Sequence, residues 1–186
     1  MYGLVNRGIE EMVCMQYGEE TWEAIKAEAG VDIDVFISME PYSDELTYQL
    51  VAAASTVLQM SPETILAAFG EYWTLYTARE GYGELLKMSG KSLPEFLHNL
   101  DTMHARVGLL YPELKPPSFR CTEVSDSGMQ LHYHSTREGM APLVLGLLRG
   151  LSKMFATELT IEHIQRRPEE GTHDIFALTY QSVSLR

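Results

Sequence analysis

Two groups of residues in this chain have types and spacing that could do chemistry. The first is a single imidazole, His104. It is set among Leu93, Phe96, Leu97, Leu100, Met103 and Val107, which recur at helical spacing. At about 100° per residue these positions form one apolar stripe with His104 inside it, while His98 points to the opposite face beside Glu95, Asn99 and Asp101. An imidazole so placed is either a neutral core histidine bonded to a carbonyl or a metal ligand aimed into an apolar cavity. No Cys, Asp or Glu shares the stripe, so a zinc site built from the protein alone lacks ligands there.

The second group is Tyr133, Ser135 and Arg137, at i, i+2 and i+4. An extended chain points all three to one face, over about 13 Å at roughly 3.3 Å per residue. A phenol, a hydroxyl and a five-donor guanidinium in a row could hold two carboxylates side by side, Arg137 clamping one of them bidentately. On spacing alone, an ordinary solvated strand face explains them as well. His132 and His134 face the other way, an H-x-H pair with no third metal ligand nearby. An iron held by a porphyrin, by contrast, needs only one histidine. There is no G-x-S-x-G, Walker loop or G-x-G-x-x-G, so hydrolase and nucleotide-enzyme readings have no anchor.

The elements that must position these groups are readable. Ser92 and Glu95 make a Ser-x-x-Glu capping box with Pro94 at the first helical position, and one helix is predicted from Leu93 to Gly108. Ahead of it, helices are predicted around Val5–Val13 (closed by Gly18), Trp22–Ala29 (closed by Gly30), after Ser43, after Ser61-Pro62, and from Glu84 to Met88 beyond Gly81-Tyr82-Gly83. Gly70, inside the fourth, marks a close approach of backbone or ligand. Val31 to Met39 reads as extended connection. After Tyr111 the periodicity moves towards two. Strands are predicted at Phe119–Val124, Met129–Thr136, Leu159–Gln165 and Asp174–Tyr180, with a turn from Arg167 to Gly171 and a buried helix, Pro142–Phe155, inserted. The fold class is α+β: a mostly helical lobe over about 1–111, then a lobe over about 112–186 with a four-stranded antiparallel sheet and one inserted helix.

Composition narrows the field. A chain of 186 residues, 45% hydrophobic, can bury a core and suits a single domain. A net charge of −12 argues against nucleic acid as a partner. Cys14 and Cys121 form neither a C-x-x-C nor a C-x-x-C-H motif, so zinc-knuckle and covalent-haem signals are missing. No apolar run is long enough to span a bilayer, and the first residues do not form a signal peptide, so a cytoplasmic location is expected.

Taken in order, three stretches resemble the H-NOX family, the haem nitric oxide/oxygen binding domains also found at the N-terminus of the soluble guanylate cyclase beta subunit. They are Asn99-Leu-Asp-Thr-Met-His104, Pro117-Ser-Phe-Arg-Cys121 and Tyr133-His-Ser-Thr-Arg137. Met1-Tyr-Gly-Leu-Val-Asn6, Leu50-Val-Ala-Ala-Ala-Ser55 and Ala68-Phe-Gly70 are similar to the same family, and the likeness runs to about Tyr180.

The resemblance implies one domain over 1–186 with a non-covalent b-type haem between the lobes. His104 would be the proximal iron ligand, Tyr133, Ser135 and Arg137 would hold the propionates, and Pro117 would press on the porphyrin. Position 143 matches the site where oxygen-binding members carry a tyrosine, and here it is Leu143. Trp73, Val5 and Ile9 are expected to face the distal pocket. The implied activity is sensing of nitric oxide, with carbon monoxide as a second ligand and no catalysis. A haem enzyme (peroxidase or nitric oxide dioxygenase) and a haem carrier are the alternatives. No cyclase, kinase or methyl-accepting segment follows within the sequence. The expected output is therefore to a separate partner, a histidine kinase or a cyclic-nucleotide or cyclic-dinucleotide enzyme, unless the chain is an excised domain.

Overall fold

The computed structural model describes residues 1–77, 80, 82–167 and 171–182. Helices come first and the sheet after them. Glycines close the first two helices, α1 (Gly3–Tyr17) and α2 (Glu19–Ala29): Gly18 at φ 90° and Gly30 at φ 65° sit where other residues are strained. Ser43 starts α3 (Asp44–Leu58) by accepting the Leu46 N–H at 3.3 Å. α4 (Pro62–Thr77) and α5 (Gly83–Ser89) follow, and the predicted break at Gly81 lies outside the described residues.

The predicted single helix from Leu93 to Gly108 is two helices, α6 (Leu93–His98) and α7 (Leu100–Gly108). Asn99 breaks it. Its backbone sits at φ −93°, ψ 3°, and its Nδ2 donates to the Ser89 carbonyl 2.9 Å away. That bond draws the side chain back to the end of α5, and the Asn99 N–H is shared between the Glu95 and Phe96 carbonyls. The start also differs in detail. Ser92 Oγ accepts the Glu95 N–H, but Glu95 Oε2 takes the N–H of Lys91, and Pro94 is the second helical residue.

Strands β1 (Ser118–Thr122) and β2 (Gly128–His134) form a hairpin. The helix α8 (Ala141–Met154) and strands β3 (Thr157–Gln165) and β4 (Asp174–Ser182) complete the chain, residues 168–170 of the predicted turn lying outside the described ones. The sheet is antiparallel in the order β1-β2-β4-β3, with Tyr133 opposite Phe119 and Asp174. Its inner face carries Leu131, Tyr133, Phe176 and Leu178, all buried. No single helix is long and apolar enough to cross a membrane.

The two lobes meet along α4 and α8, where glycines let the backbones touch. A Cβ built on Gly70 would overlap the Leu143 carbonyl oxygen, and one on Gly146 would overlap that of Ala67. Gly70 therefore marks an approach of backbone. This contact fixes which turn of α8 faces α4, and so where Leu143 stands. Gly146→Ala should lower stability by about 1–3 kcal/mol, the usual cost of overpacking, because backbone cannot yield as a side chain can. A denaturant melt would show it, and an unchanged midpoint would mean that the helices are further apart.

Candidate cofactor pocket

A cavity of about 310 Å³ lies between the lobes, a size typical of small-molecule and cofactor sites. Val5 of α1, Phe69 and Trp73 of α4, Leu100 and His104 of α7, Leu131 and Tyr133 of β2, and Leu143 of α8 all line it. Most of the wall is apolar. Two of its polar groups matter most for a cofactor.

His104 is the first. Its ring lies beside Phe119, centroids 5.9 Å apart, and its Nδ1 is sealed from solvent without a hydrogen bond of regular geometry. Burial pushes the imidazole below its ordinary pKa, with the charge of Asp101 and the Pro117 carbonyl pulling weakly the other way. It is therefore neutral at physiological pH, the form that binds a metal. Asp101, which the stripe places towards solvent, fixes the segment: its Oδ1 accepts the Phe119 N–H at 2.7 Å and its Oδ2 the Ser118 hydroxyl at 2.8 Å. These bonds tie α7 to β1 three residues before His104. The only hint in the sequence is an acidic residue just outside the apolar stripe.

The second polar group is Tyr133, Ser135 and Arg137, all on the cavity wall with Pro117. Strand alternation does not bring them together, because β2 ends at His134. A turn does so instead, in which Ser135 Oγ accepts the Arg137 N–H at 3.0 Å. Outer contacts pin that turn: Arg167 donates to the Ser135 carbonyl, and Tyr48 to the Glu138 carbonyl at 3.0 Å. Arg137 lies with Nε 2.9 Å from Asp44 Oδ2 and donates from one terminal nitrogen to the Lys115 carbonyl at 2.8 Å. Burial pushes the Asp44 carboxyl up, but the Met1 ammonium and Arg137 outweigh it and hold the group below the ordinary carboxylate value. Burial raises the Tyr133 phenol, which stays protonated as a donor.

Trp73, Leu143 and Val5 line the cavity. Ile9 does not: one turn beyond Val5 it is only 2% exposed and packs into the core, so helical phase alone placed it too generously. On the outer sheet face His132 is buried, bonded to Thr122 and, at 2.8 Å, to His173, against which His134 stacks. An open strand face predicts neither the burial nor His173. Among the described residues no group of three or more His, Cys, Asp or Glu is arranged to hold a metal ion.

An apolar cavity with an imidazole on its wall and a phenol, a hydroxyl and a guanidinium together suits an apolar cofactor bearing carboxylates. The residues present fit a haem, which supplies four ligands and leaves one for His104. A family model described as Haem-NO-binding matches residues 2–163, and the chain belongs to that family, the H-NOX domains. Among curated proteins it is similar to the soluble guanylate cyclase gcy-31 of Caenorhabditis elegans, 33% identical over 163 residues, 87% of this chain and 23% of the relative. It is also similar to the guanylate cyclase soluble subunit beta-2 of Rattus norvegicus, 41% identical over 93 residues, half of this chain and 14% of the relative. The chain spans about a quarter or less of these relatives. Of solved structures, an H-NOX protein of S. oneidensis in its Fe(II)NO state superposes with a TM-score of 0.89 at 21% identity, covering 98% of this chain and all of that one. The same fold appears in the SO2144 H-NOX domain of Shewanella oneidensis in its Fe(II)CO state, TM-score 0.83 at 21% identity, covering 97% of this chain and 99% of that one.

Proposed function

We propose that the chain is a haem-based nitric oxide sensor, and the observation that carries this is the imidazole of His104 on the wall of an apolar cavity, its Nδ1 sealed from solvent. His104 would ligate the iron of a non-covalent b-type haem. Tyr133, Ser135 and Arg137 would hold its propionates, with Asp44 orienting the guanidinium, and Pro117 would press on the ring. Haem supplies the iron that takes nitric oxide or carbon monoxide. His104 in turn ties α7 to that iron, and weakening of the tie by nitric oxide would free α7 to move. The partner that reads this motion would be a histidine kinase or a cyclic-nucleotide or cyclic-dinucleotide enzyme, in keeping with the cyclase relatives, and the setting cytoplasmic.

The chain would not be an enzyme itself. Peroxidase or dioxygenase chemistry needs an acid–base group on the distal wall, and Leu143 offers none. The test is an absorption spectrum of the reduced protein before and after nitric oxide. A haem band that shifts to a five-coordinate nitrosyl form supports the reading, and no haem band removes it.

Arg137→Ala should speed haem loss to apomyoglobin, because a charge-assisted bond to a propionate is worth about 1.5–3 kcal/mol. His132→Ala, on the outer face, should lower stability through its lost bonds to Thr122 and His173 while leaving the transfer rate alone. Equal transfer rates in the two variants would remove Arg137 from the site.

A further inference from the structure

The outer face of the sheet carries a cluster of imidazoles that the cofactor pocket does not use. His132 of β2 is buried there, its Nε2 2.8 Å from the Thr122 hydroxyl of β1 and its Nδ1 2.8 Å from Nε2 of His173, just ahead of β4. His134 lies flat on His173, ring centroids 4.0 Å apart at 22°. The His173 Nδ1 is 3.2 Å from the Thr172 hydroxyl. Thr122, His132, His173 and Thr172 thus form one hydrogen-bonded row.

The row fixes its own proton count. Between His132 Nδ1 and His173 Nε2 one hydrogen is needed and only one fits, since two would collide and none would set lone pair against lone pair. With the proton on His132, its Nε2 accepts from Thr122 and His173 Nδ1 donates to Thr172. With the proton on His173 Nε2, both outer bonds run the other way. In either arrangement both rings are neutral and all four of their nitrogens are bonded. One further proton can be held, because a doubly protonated ring still donates to its partner. A second puts hydrogen on both facing nitrogens, and the bond between the rings is lost.

We propose that this row is an acid-sensitive latch: with at most one extra proton it holds the start of β4 against β2, and double protonation of His132 and His173 drives the two apart and loosens the turn at Ser135. The connection to that turn is short. Asp174, which follows His173, accepts the Arg167 N–H at 3.2 Å, and Arg167 donates to the Ser135 carbonyl. Losing the bond alone, as in His132→Ala, creates no force on the segment, whereas two imidazolium rings in contact repel each other. Only the step from the Ser135 turn to a held cofactor rests on the haem reading above.

The surroundings set the direction of the pH response. Burial pushes His132 below its ordinary pKa, and His173, Arg120 and His134 add to the effect while Glu123 opposes it. His134 is lowered by burial, His173 and Arg120, with Asp101 opposing. Glu123 is itself bonded to the Gln130 amide, Asp101 to Ser118 and Phe119, and Asp174 to His163 of β3. Imidazoles kept neutral by the fold take up protons more readily on unfolding. Their contribution to stability is therefore full above the ordinary imidazole value of about 6.5 and is lost as the pH falls below it.

The test uses the whole chain as purified, reduced and under carbon monoxide, so that any haem present is diamagnetic. Nitrogen-15 NMR of the rings reads tautomer and charge at each histidine as the pH is lowered, and amide exchange, corrected for its intrinsic pH dependence, reads opening. The expected result is that the His132–His173 pair takes up its two protons in separate steps. Protection at Ile175, opposite His132 in the sheet, and at Arg137, bonded to Ser135 Oγ, should fall several-fold through the second step. His173→Gln, which can still bond to His132 but takes up no proton, should keep most of that protection in acid. His104, also held neutral by burial, titrates in both proteins, so the difference between them belongs to the latch. Unchanged protection at either amide through the second step would overturn the proposal, as would an equal acid loss in His173→Gln. The wild-type titration decides by itself if that variant fails to fold: one joint step at the ordinary imidazole value sinks the latch. A missing haem band removes the haem reading and leaves the titration readable; a haem band with equal acid loss in both proteins removes the latch alone.

Discussion

His104→Gly is expected to lose most of its haem on purification, and added imidazole should restore a five-coordinate ferrous spectrum. The expectation follows from the composition of the cavity wall. On the cavity wall Leu97, Leu100 and Phe119 offer no metal ligand and Met103 only a soft thioether, and the described residues contain no group of three or more His, Cys, Asp or Glu arranged to hold a metal ion. Without the imidazole, only apolar contact and the propionate clamp remain. The glycine itself costs the helix about 1 kcal/mol, too little to unfold the domain. The vacated space has the shape of the lost ring, and Asp101 still holds α7 against β1, so free imidazole finds a prepared site. Titration of the purified variant with haem and imidazole, followed by absorption, decides the matter. Wild-type haem content and spectrum in the variant would place the iron ligand elsewhere.

The second large effect concerns ligand choice. Ferrous protein is expected to bind nitric oxide and carbon monoxide and to form no stable oxygen complex in air. Bound oxygen draws electron density and is retained where a distal donor meets its outer atom. Nitric oxide binds ferrous iron without such help. Leu143 stands on the cavity wall at the turn of α8 fixed by Gly146, and an alkyl group donates nothing. Other donors nearby are engaged: Thr77 donates to the Trp73 carbonyl, Thr74 to the Glu71 carbonyl, and the Tyr82 and Tyr111 hydroxyls bond to each other. Among the described residues, the Trp73 indole and the phenol that accepts in the Tyr82–Tyr111 pair are the donors left on that wall. The Trp73 ring is held between Phe69, Tyr76 and the bare Cα of Gly8. Spectra of the reduced protein, freed of reductant, before and after aeration give the answer. A persistent oxy form would refute the claim, and its loss in Trp73→Phe would identify the indole as the donor. Leu143→Tyr should shift the protein towards oxygen binding.

Much of this site was legible before any coordinates. His104 in its stripe, the Tyr-x-Ser-x-Arg row and the order of helices and strands are local patterns, and local patterns survive folding. What escaped was tertiary. Asn99 breaks the central helix because its amide reaches the Ser89 carbonyl, a partner that no periodicity reveals. Ser135 and Arg137 reach the cavity through a turn pinned from α3 and Arg167, whereas strand alternation ends at His134. Ile9 shares a helix face with Val5, but one turn was enough to carry it into the core. Asp101 falls on the polar face beside Glu95 in the sequence, and its partners, Ser118 and Phe119, lie on a strand that no helical pattern reveals.

The break at Asn99 divides the segment into unequal halves. α6 buries Leu93, Phe96 and Leu97 out of six residues, while α7 buries only Leu100 out of nine. Local unfolding free energy follows buried contact, so α7 should open to hydrogen exchange without α6 opening with it. In the haem-free protein the amides of α7 should exchange well ahead of those of α6. Haem bound through His104 should close much of that gap, since the ligand would stitch the loosely anchored half to the rest of the domain. Matched rates in both halves, with and without haem, would mean that the two helices behave as one rod. A sensor needs a part that its ligand can both secure and release, and the imidazole proposed to ligate iron sits on the half that the core holds least.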